Sequence, residues 1–293
     1  MDSTTIWMVI LAISVALPAS ILGTFLVLRR KVMIADAISH SVLPGIVVAY
    51  LVTKDLSGPQ FLFGSIITAV FTSSVINWLQ RKFNTQEDAA IGIVFTTFFA
   101  IGILLIALYT GKNTDVDQEC VLYGDLETTV LYHLTAFGKD VGPLAFYTML
   151  PLTIVIILAV TLFLPQWKAV LFDQGFANSK GMKASRWEWF LLLLVSIYSV
   201  LCFESVGVVM VVGLLVLPPS TAMLISKKFS HVLWLSIFFS IISSIVGVGL
   251  AIQFNLSIAP LIVSINSLNL VVFATFKAIT SMKRSKNSIS RIQ

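Results

Sequence analysis

Long apolar runs separated by short polar punctuation make up almost the whole chain, and that pattern admits few folds. A helix crossing the hydrocarbon core of a bilayer needs roughly 20 apolar residues, since about 30 Å at 1.5 Å per residue gives that number. Runs of this length are predicted at about 6–28, 32–53, 60–79, 89–109, 143–164, 231–252 and 256–277. A further stretch, 190–225, is interrupted at Glu204 and fits two spans better than one. The fold class that follows is an all-α polytopic membrane protein with eight or nine transmembrane helices. Composition agrees, with 57% of residues hydrophobic and 11% charged, against about 25% charged in a soluble domain. No stretch is polar and long enough for a soluble domain of its own, so one membrane domain is expected over 1–280, followed by a basic tail at 281–293.

Lys plus Arg exceeds Asp plus Glu, 19 against 14. In a soluble protein such a surplus would suggest nucleic acid. Here the basic residues cluster in short loops and the tail, where they set topology and meet anionic lipid headgroups, so no nucleic-acid partner is expected. Counting 81–82, 166–186, 227–228 and the tail as cytoplasmic gives nine spans with the N-terminus outside and the C-terminus inside. Eight spans with both ends inside is the alternative. The first apolar run lacks a basic leader and an A-x-A-like cleavage site, so it reads as a retained span. Cys120 and Cys202 show no metal-type spacing. The polar segment 111–140 contains VLYGDLETTVLYHL, which suits a short interfacial or re-entrant helix.

Within the second span, KVMIADAISHSVLPGIVVAY places Asp36 and His40 four residues apart. On a helix these share a face, with Cβ atoms about 5–6 Å apart. An Asp at a helix centre carries an insertion penalty of roughly 2.5–3.5 kcal/mol, and intramembrane ionisable groups usually face a cavity or a partner. Two readings follow: a carboxylate and an imidazole that reach one divalent cation, or an Asp–His hydrogen bond that fixes helix packing. Two ligands do not complete a shell, so water, other helices or a second subunit would supply the rest. Ser39, Ser41, Pro44 and Gly45 lie on the same segment. Pro44 removes the backbone bond to residue 40, giving either a plain kink or a carbonyl freed toward a polar path. Glu204 is a candidate gate, although a hydrated residue at the interface between two spans is the favoured reading. Pro218 and Pro219 mark a helix break. His133 and His231 are read as interfacial.

The segment 166–189, QWKAVLFDQGFANSKGMKASRWEW, reads as a short helix lying along the membrane or as a docking helix for a cytoplasmic partner. Phe172 and Phe176 are spaced i, i+4 and would present one apolar face. The chain has no G-x-x-x-x-G-K-[ST], no H-E-x-x-H and no G-x-S-x-G, so no ATPase, zinc-protease or hydrolase centre is expected, and the chain is not read as an enzyme.

The segment DAISHSVLPG (36–45) resembles the DALSHSVLPG-type signature of membrane permeases from bacterial ABC importers of manganese, zinc or iron. Further pieces resemble that family in the right order: EDAAIGIVFTTFFAIG (87–102), VLYGDL (121–126), LFDQGFANSKGM (171–182) and VGVVMVVGLLVLPPSTAMLIS (206–226). The resemblance implies a permease that dimerises around a central path, as a homodimer or heterodimer, in the bacterial cytoplasmic membrane. It implies an ATP-binding subunit on the cytoplasmic face and an extracytoplasmic metal-binding protein that delivers the ion. Asp36 and His40 would contact the metal in transit, with no permanently bound cofactor, and Ser39, Pro44 and Glu204 would line or gate the path. The 166–189 loop would be the coupling segment, with Phe172, Asp173, Phe176 and Ala177 at its docking helix. Gln174–Gly175 departs from the Pro-Glu-like pair common there. A carboxylate and an imidazole suit manganese, zinc or ferrous iron. If Arg29–Lys31 were cytoplasmic, Asp36 would lie near the cytoplasmic end of its span, awkward for an ion arriving from outside, so the charge rule is expected to fail for this triplet. The rival class is a stand-alone proton-coupled carrier working through Asp36, His40 and Glu204.

Overall fold

The computed structural model describes residues 3–53, 59–109, 126–136 and 139–289. Helices α1 (Ser3–Leu28), α2 (Val32–Ser41), α3 (Leu43–Thr53), α4 (Pro59–Phe83) and α5 (Glu87–Tyr109) come first. A single turn, α6 (Leu126–Thr129), and an antiparallel hairpin, β1 (His133–Ala136) with β2 (Lys139–Pro143), follow. Then come α7 (Leu144–Leu162), α8 (Leu164–Phe172), α9 (Gln174–Ser179), α10 (Ala184–Val206), α11 (Val208–Ile225), α12 (Phe229–Phe254) and α13 (Ile258–Ile289). Nine stretches among the described residues are long and apolar enough to cross a membrane, α2 and α3 together forming one of them. The 190–225 stretch divides at Gly207, whose φ of 79° suits glycine and ends α10. Helix α13 continues through Ile289, so the basic tail begins as an extension of the ninth span.

The short helix expected within 121–134 is found over Leu126–Thr129 alone among the described residues. Residues 121–125 lie outside the described residues, as does Cys120. Of the rest, only 126–129 is helical, and His133 opens a hairpin that pairs Leu134 with Gly142 and Ala136 with Lys139. Gly142 has φ 117° and packs against the Trp7 ring, a place where no side chain fits.

Among the described residues, the loops carrying Arg29, Lys31, Arg81 and Lys168 meet at one end of the bundle. Arg29 Nη2 donates to the Val170 carbonyl (2.9 Å), Lys31 pairs with Glu188, Arg81 donates to Ser185 Oγ (2.5 Å), and Lys168 lies over the Phe229 ring. At the opposite end, Trp7 meets Phe146, and Glu127 Oε1 accepts from the Ile258 N–H at the head of α13. The expected failure of the charge rule at Arg29–Lys31 is therefore corrected: the triplet lies with the other basic loops. The reason is local. Arg30 takes a left-handed φ of 59°, and Arg30 and Lys31 donate to the carbonyls of Val27 and Leu26. This is the Schellman reversal that closes helix ends, and it turns the chain directly into α2.

Helix α1 is apolar on every side and sits among α7, α11 and α12. Its span and the α2–α3 span are the most enclosed, 72% and 71% buried over their apolar stretches against 17% for α5. In a membrane-spanning bundle, packing and interhelical hydrogen bonds replace the hydrophobic drive between helices. Thr153, Tyr198 and Ser240 donate to the carbonyls of Ser14, Val15 and Ala16 at 3.0–3.2 Å. Ser14 is the acceptor that Pro18 leaves free, so a neighbouring helix re-satisfies it. The break expected at Pro218–Pro219 is also corrected, because α11 runs unbroken through both. Pro219 removes the bond to the Leu215 carbonyl, and that carbonyl lies against Gly23 of α1, where a methyl group would sit 2.0 Å away.

Candidate metal path and coupling surface

The second span breaks at Val42, between α2 and α3, and Pro44 falls in the first turn of α3, where its missing N–H is least costly. Gly45 and Ile46 both donate to the Val42 carbonyl (3.0 and 3.1 Å). Asp36 and His40 stand on α2, one turn apart, with Ser39 between them. Asp36 is exposed and His40 half-buried. The imidazole packs between Phe95 and Phe99 of α5, with ring centroids 5.3 and 5.9 Å away. Its Nδ1 is enclosed without a hydrogen-bond partner among the described residues. Just beyond, α3 and α4 approach so closely at Gly45 and Gly64 that neither position has room for a side chain. An open apolar groove lined by Pro44, Gly45, Phe63, Ile67, Phe71 and Phe98 runs along this face.

Glu204 lies on the last turn of α10, about 24 Å along the helix from Glu188, and so toward the opposite end of the bundle. Among the described residues, no three His, Cys, Asp or Glu side chains cluster as a metal cage. Asp36 and His40 carry one oxygen-donor and one nitrogen-donor side chain on α2, which by their chemistry can supply part of a divalent cation's shell.

At the basic end, α8 and α9 form the 164–179 segment. Asp173 separates them with extended backbone (φ −147°, ψ 96°), and its Oδ1 accepts from the Phe176 N–H at 2.8 Å. Phe172 and Phe176 therefore do not share one continuous helix, as their spacing suggested; the cap wins over the period. Both rings are nevertheless exposed, 63% and 50%. Ala177 is fully buried against Val170 and Ala184, underneath the exposed face. Past the end of α9 the chain reverses at Gly181 (φ 77°), with Gly181 and Met182 donating to the Asn178 and Ala177 carbonyls. Asp173→Ala is expected to destabilise this segment by about 1 kcal/mol, read as faster amide exchange confined to residues 174–179.

One group escaped the sequence reading. Glu188, in the first turns of α10, is mostly buried, with its Oε1 2.5 Å from Lys31 Nζ and its Oε2 3.4 Å from Arg81 Nη2. The signal was there: 166–189 holds two acids, Asp173 and Glu188, among Lys168, Lys180, Lys183 and Arg186. Asp173 is spent on a helix cap, which leaves Glu188 as the acid that answers these loops.

Comparison with known proteins bears directly on this geometry. Residues 1–277 match the model of the ABC 3 transport family. The chain belongs to that family. It is 35% identical over 253 residues to the manganese transport system membrane protein MntD of Bacillus subtilis, covering 86% of this chain and 85% of that one. It is 33% identical over 255 residues to the zinc transport system membrane protein TroD of Treponema pallidum, covering 87% and 69%. Among solved structures, PsaBC from Streptococcus pneumoniae in complex with Fab superimposes with a TM-score of 0.73 at 25% identity, over 93% of this chain and 91% of that one. The protein is thus a multi-pass membrane permease with an ABC-transporter permease fold.

Proposed function

We propose that this chain is the transmembrane permease subunit of an ABC importer for a divalent transition metal, manganese foremost, with zinc or iron as the other candidates. The carrying observation is the family match across residues 1–277. Relatives named for manganese and zinc transport support the cargo class. The pairing of a carboxylate and an imidazole on α2 is chemistry in keeping with it. Asp36 and His40 contact the ion in transit, and Pro44 and Glu204 border its path. The basic end faces the cytoplasm of a bacterial cell, by the positive-inside rule, which puts the C-terminus and the 281–293 tail inside. There an ATP-binding subunit seats on Phe172 and Phe176 and supplies the hydrolysis for which this chain has no P-loop. A metal-binding protein delivers the ion from the other side, and a second permease subunit completes the path. Family membership disfavours the stand-alone proton-coupled carrier.

The test is manganese, zinc and iron uptake by elemental analysis in cells expressing the chain with its transporter partners, beside Phe176→Asp at equal membrane abundance. Removing an anchoring aromatic worth about 2 kcal/mol weakens docking roughly 30-fold, so the variant should lose uptake and no longer co-purify the ATP-binding subunit. A carrier that needs no ATPase would transport unchanged and overturn the reading.

A further inference from the structure

Glu87, at the head of α5, raises an unanswered question. Its Oε1 is buried without a hydrogen-bond partner among the described residues, although it lies within electrostatic reach of Lys31, Glu188 and Asp88. A buried, unpartnered carboxylate oxygen is rare enough to require a reason. Lys31 meanwhile gives its ammonium to Glu188, and only 10% and 14% of those two side chains are exposed. The turn bearing Lys31 is closed by the Leu26 and Val27 carbonyls, and it opens straight into α2. Its other arm, Arg29, holds the Val170 carbonyl at the end of α8 and, with the Gln174 amide oxygen turned toward it, the first residue of α9. One turn of chain thus links three things: the coupling segment, the Glu188 carboxylate on α10, and the helix bearing Asp36 and His40. Along α2, Asp36 and His40 lie about 7.5 and 13.5 Å from Lys31. The helix headed by Glu87 is the one whose Phe95 and Phe99 clasp His40.

We infer that Lys31 is a two-position positioning residue, paired with Glu188 in this state and passing to Glu87 when the coupling segment moves, so that α2 shifts against α5 around His40. This rests on the importer reading above. The structure supplies both ends of the exchange: the Glu188 carboxylate already paired with Lys31, and, at the head of the helix that packs on His40, a Glu87 Oε1 with no hydrogen-bond partner among the described residues. Arg81 stays with Glu188 as Lys31 leaves, so that carboxylate is not left without a cation. Packed elements of this kind have discrete arrangements, which is what transmitting a push over this distance requires.

The test is transport in proteoliposomes holding the assembled transporter, with Mn2+ and ATP, read as ions moved per ATP hydrolysed. Lys31→Met, Glu188→Gln and Glu87→Gln are each expected to lower that ratio about 10-fold while the ATP-binding subunit still co-purifies, and Lys31→Arg should restore it. The Glu87 arm decides. If Glu87→Gln keeps the ratio of the intact protein, Lys31 is a fixed bridge and the exchange is wrong. If the variants lower abundance or thermal stability but leave ions per ATP unchanged, the role is structural and the inference is equally wrong. Should Glu188→Gln fail to accumulate, Lys31→Met and Glu87→Gln read the same ratio. Uptake by the intact protein that needs no ATP would instead overturn the importer reading itself.

Discussion

Asp36→Ala is expected to abolish metal uptake while leaving the protein at its normal level in the membrane. Asp36 is exposed on α2, and Ala is the better helix former, so the helix itself tolerates the change, and uptake is compared at equal membrane abundance. The transported ion has much to lose. On the proposed path, loss of the carboxylate leaves a single imidazole as α2's share of the shell and removes the oxygen donor that a cation such as Mn2+ favours. Changes to groups that merely orient a ligand already cost on the order of 10–100-fold in metal affinity, so removing the ligand itself should cut uptake by no less. His40 needs a different substitution, because its ring is packed between Phe95 and Phe99. His40→Ala would open a cavity and confound packing with ligation. His40→Phe keeps an aromatic ring there and removes both nitrogens. Uptake by elemental analysis should fall with His40→Phe as it does with Asp36→Ala. If His40→Phe transports normally, the ring serves packing alone and the metal path lies elsewhere.

The sequence made the spans legible because length and apolarity are summed over some 20 residues, so no single position decides them. The Asp36–His40 face was legible for a similar reason, since helical periodicity is local. What escaped was decided either by one residue or by distant partners. Asp173 caps α9 through the Phe176 N–H and so separates two phenylalanines whose spacing alone suggested one face. Pro218 and Pro219 do not break α11, because the carbonyl freed at Leu215 is buried against a glycine of α1, some 190 positions away in sequence. The Arg29–Lys31 triplet was misjudged from the needs of the ion. Its place follows from a left-handed Arg30 and from Glu188, more than 150 residues downstream. That correction leaves His40 about 12 Å into its span from the basic end, reached through a helix that breaks at Val42. On the proposed importer reading, an ion arriving from the opposite side would pass the α3–α4 face before reaching Asp36 and His40, and the groove bordered by Pro44 and Phe98 lies on that face.

Gly23→Val should be the most destructive single substitution for the fold itself. At Gly23 the first atom of any side chain would fall 2.0 Å from the Leu215 oxygen and 2.7 Å from its carbon, both backbone atoms of α11. A flexible side chain can swing aside; a helix backbone held on three sides cannot. Relief would require α1 to move off α11, and α1 is the helix whose carbonyls take hydrogen bonds from Thr153, Tyr198 and Ser240. Overpacking in a well-filled core typically costs about 1–3 kcal/mol, and separation of these bonded helices adds to it. Gly23→Val is therefore expected to lower the thermal midpoint of the detergent-solubilised protein sharply and to reduce its recovery from membranes. Gly92 and Gly249 provide the contrast, because a methyl group at either meets nothing within 4 Å. Gly92→Ala and Gly249→Ala should leave the midpoint unchanged or raise it slightly, since Ala in a helix interior is favoured over Gly by about 0.5–1 kcal/mol. An unchanged midpoint for Gly23→Val would mean that α1 and α11 are not in backbone contact, and the account of how the bundle tolerates Pro219 would fall with it.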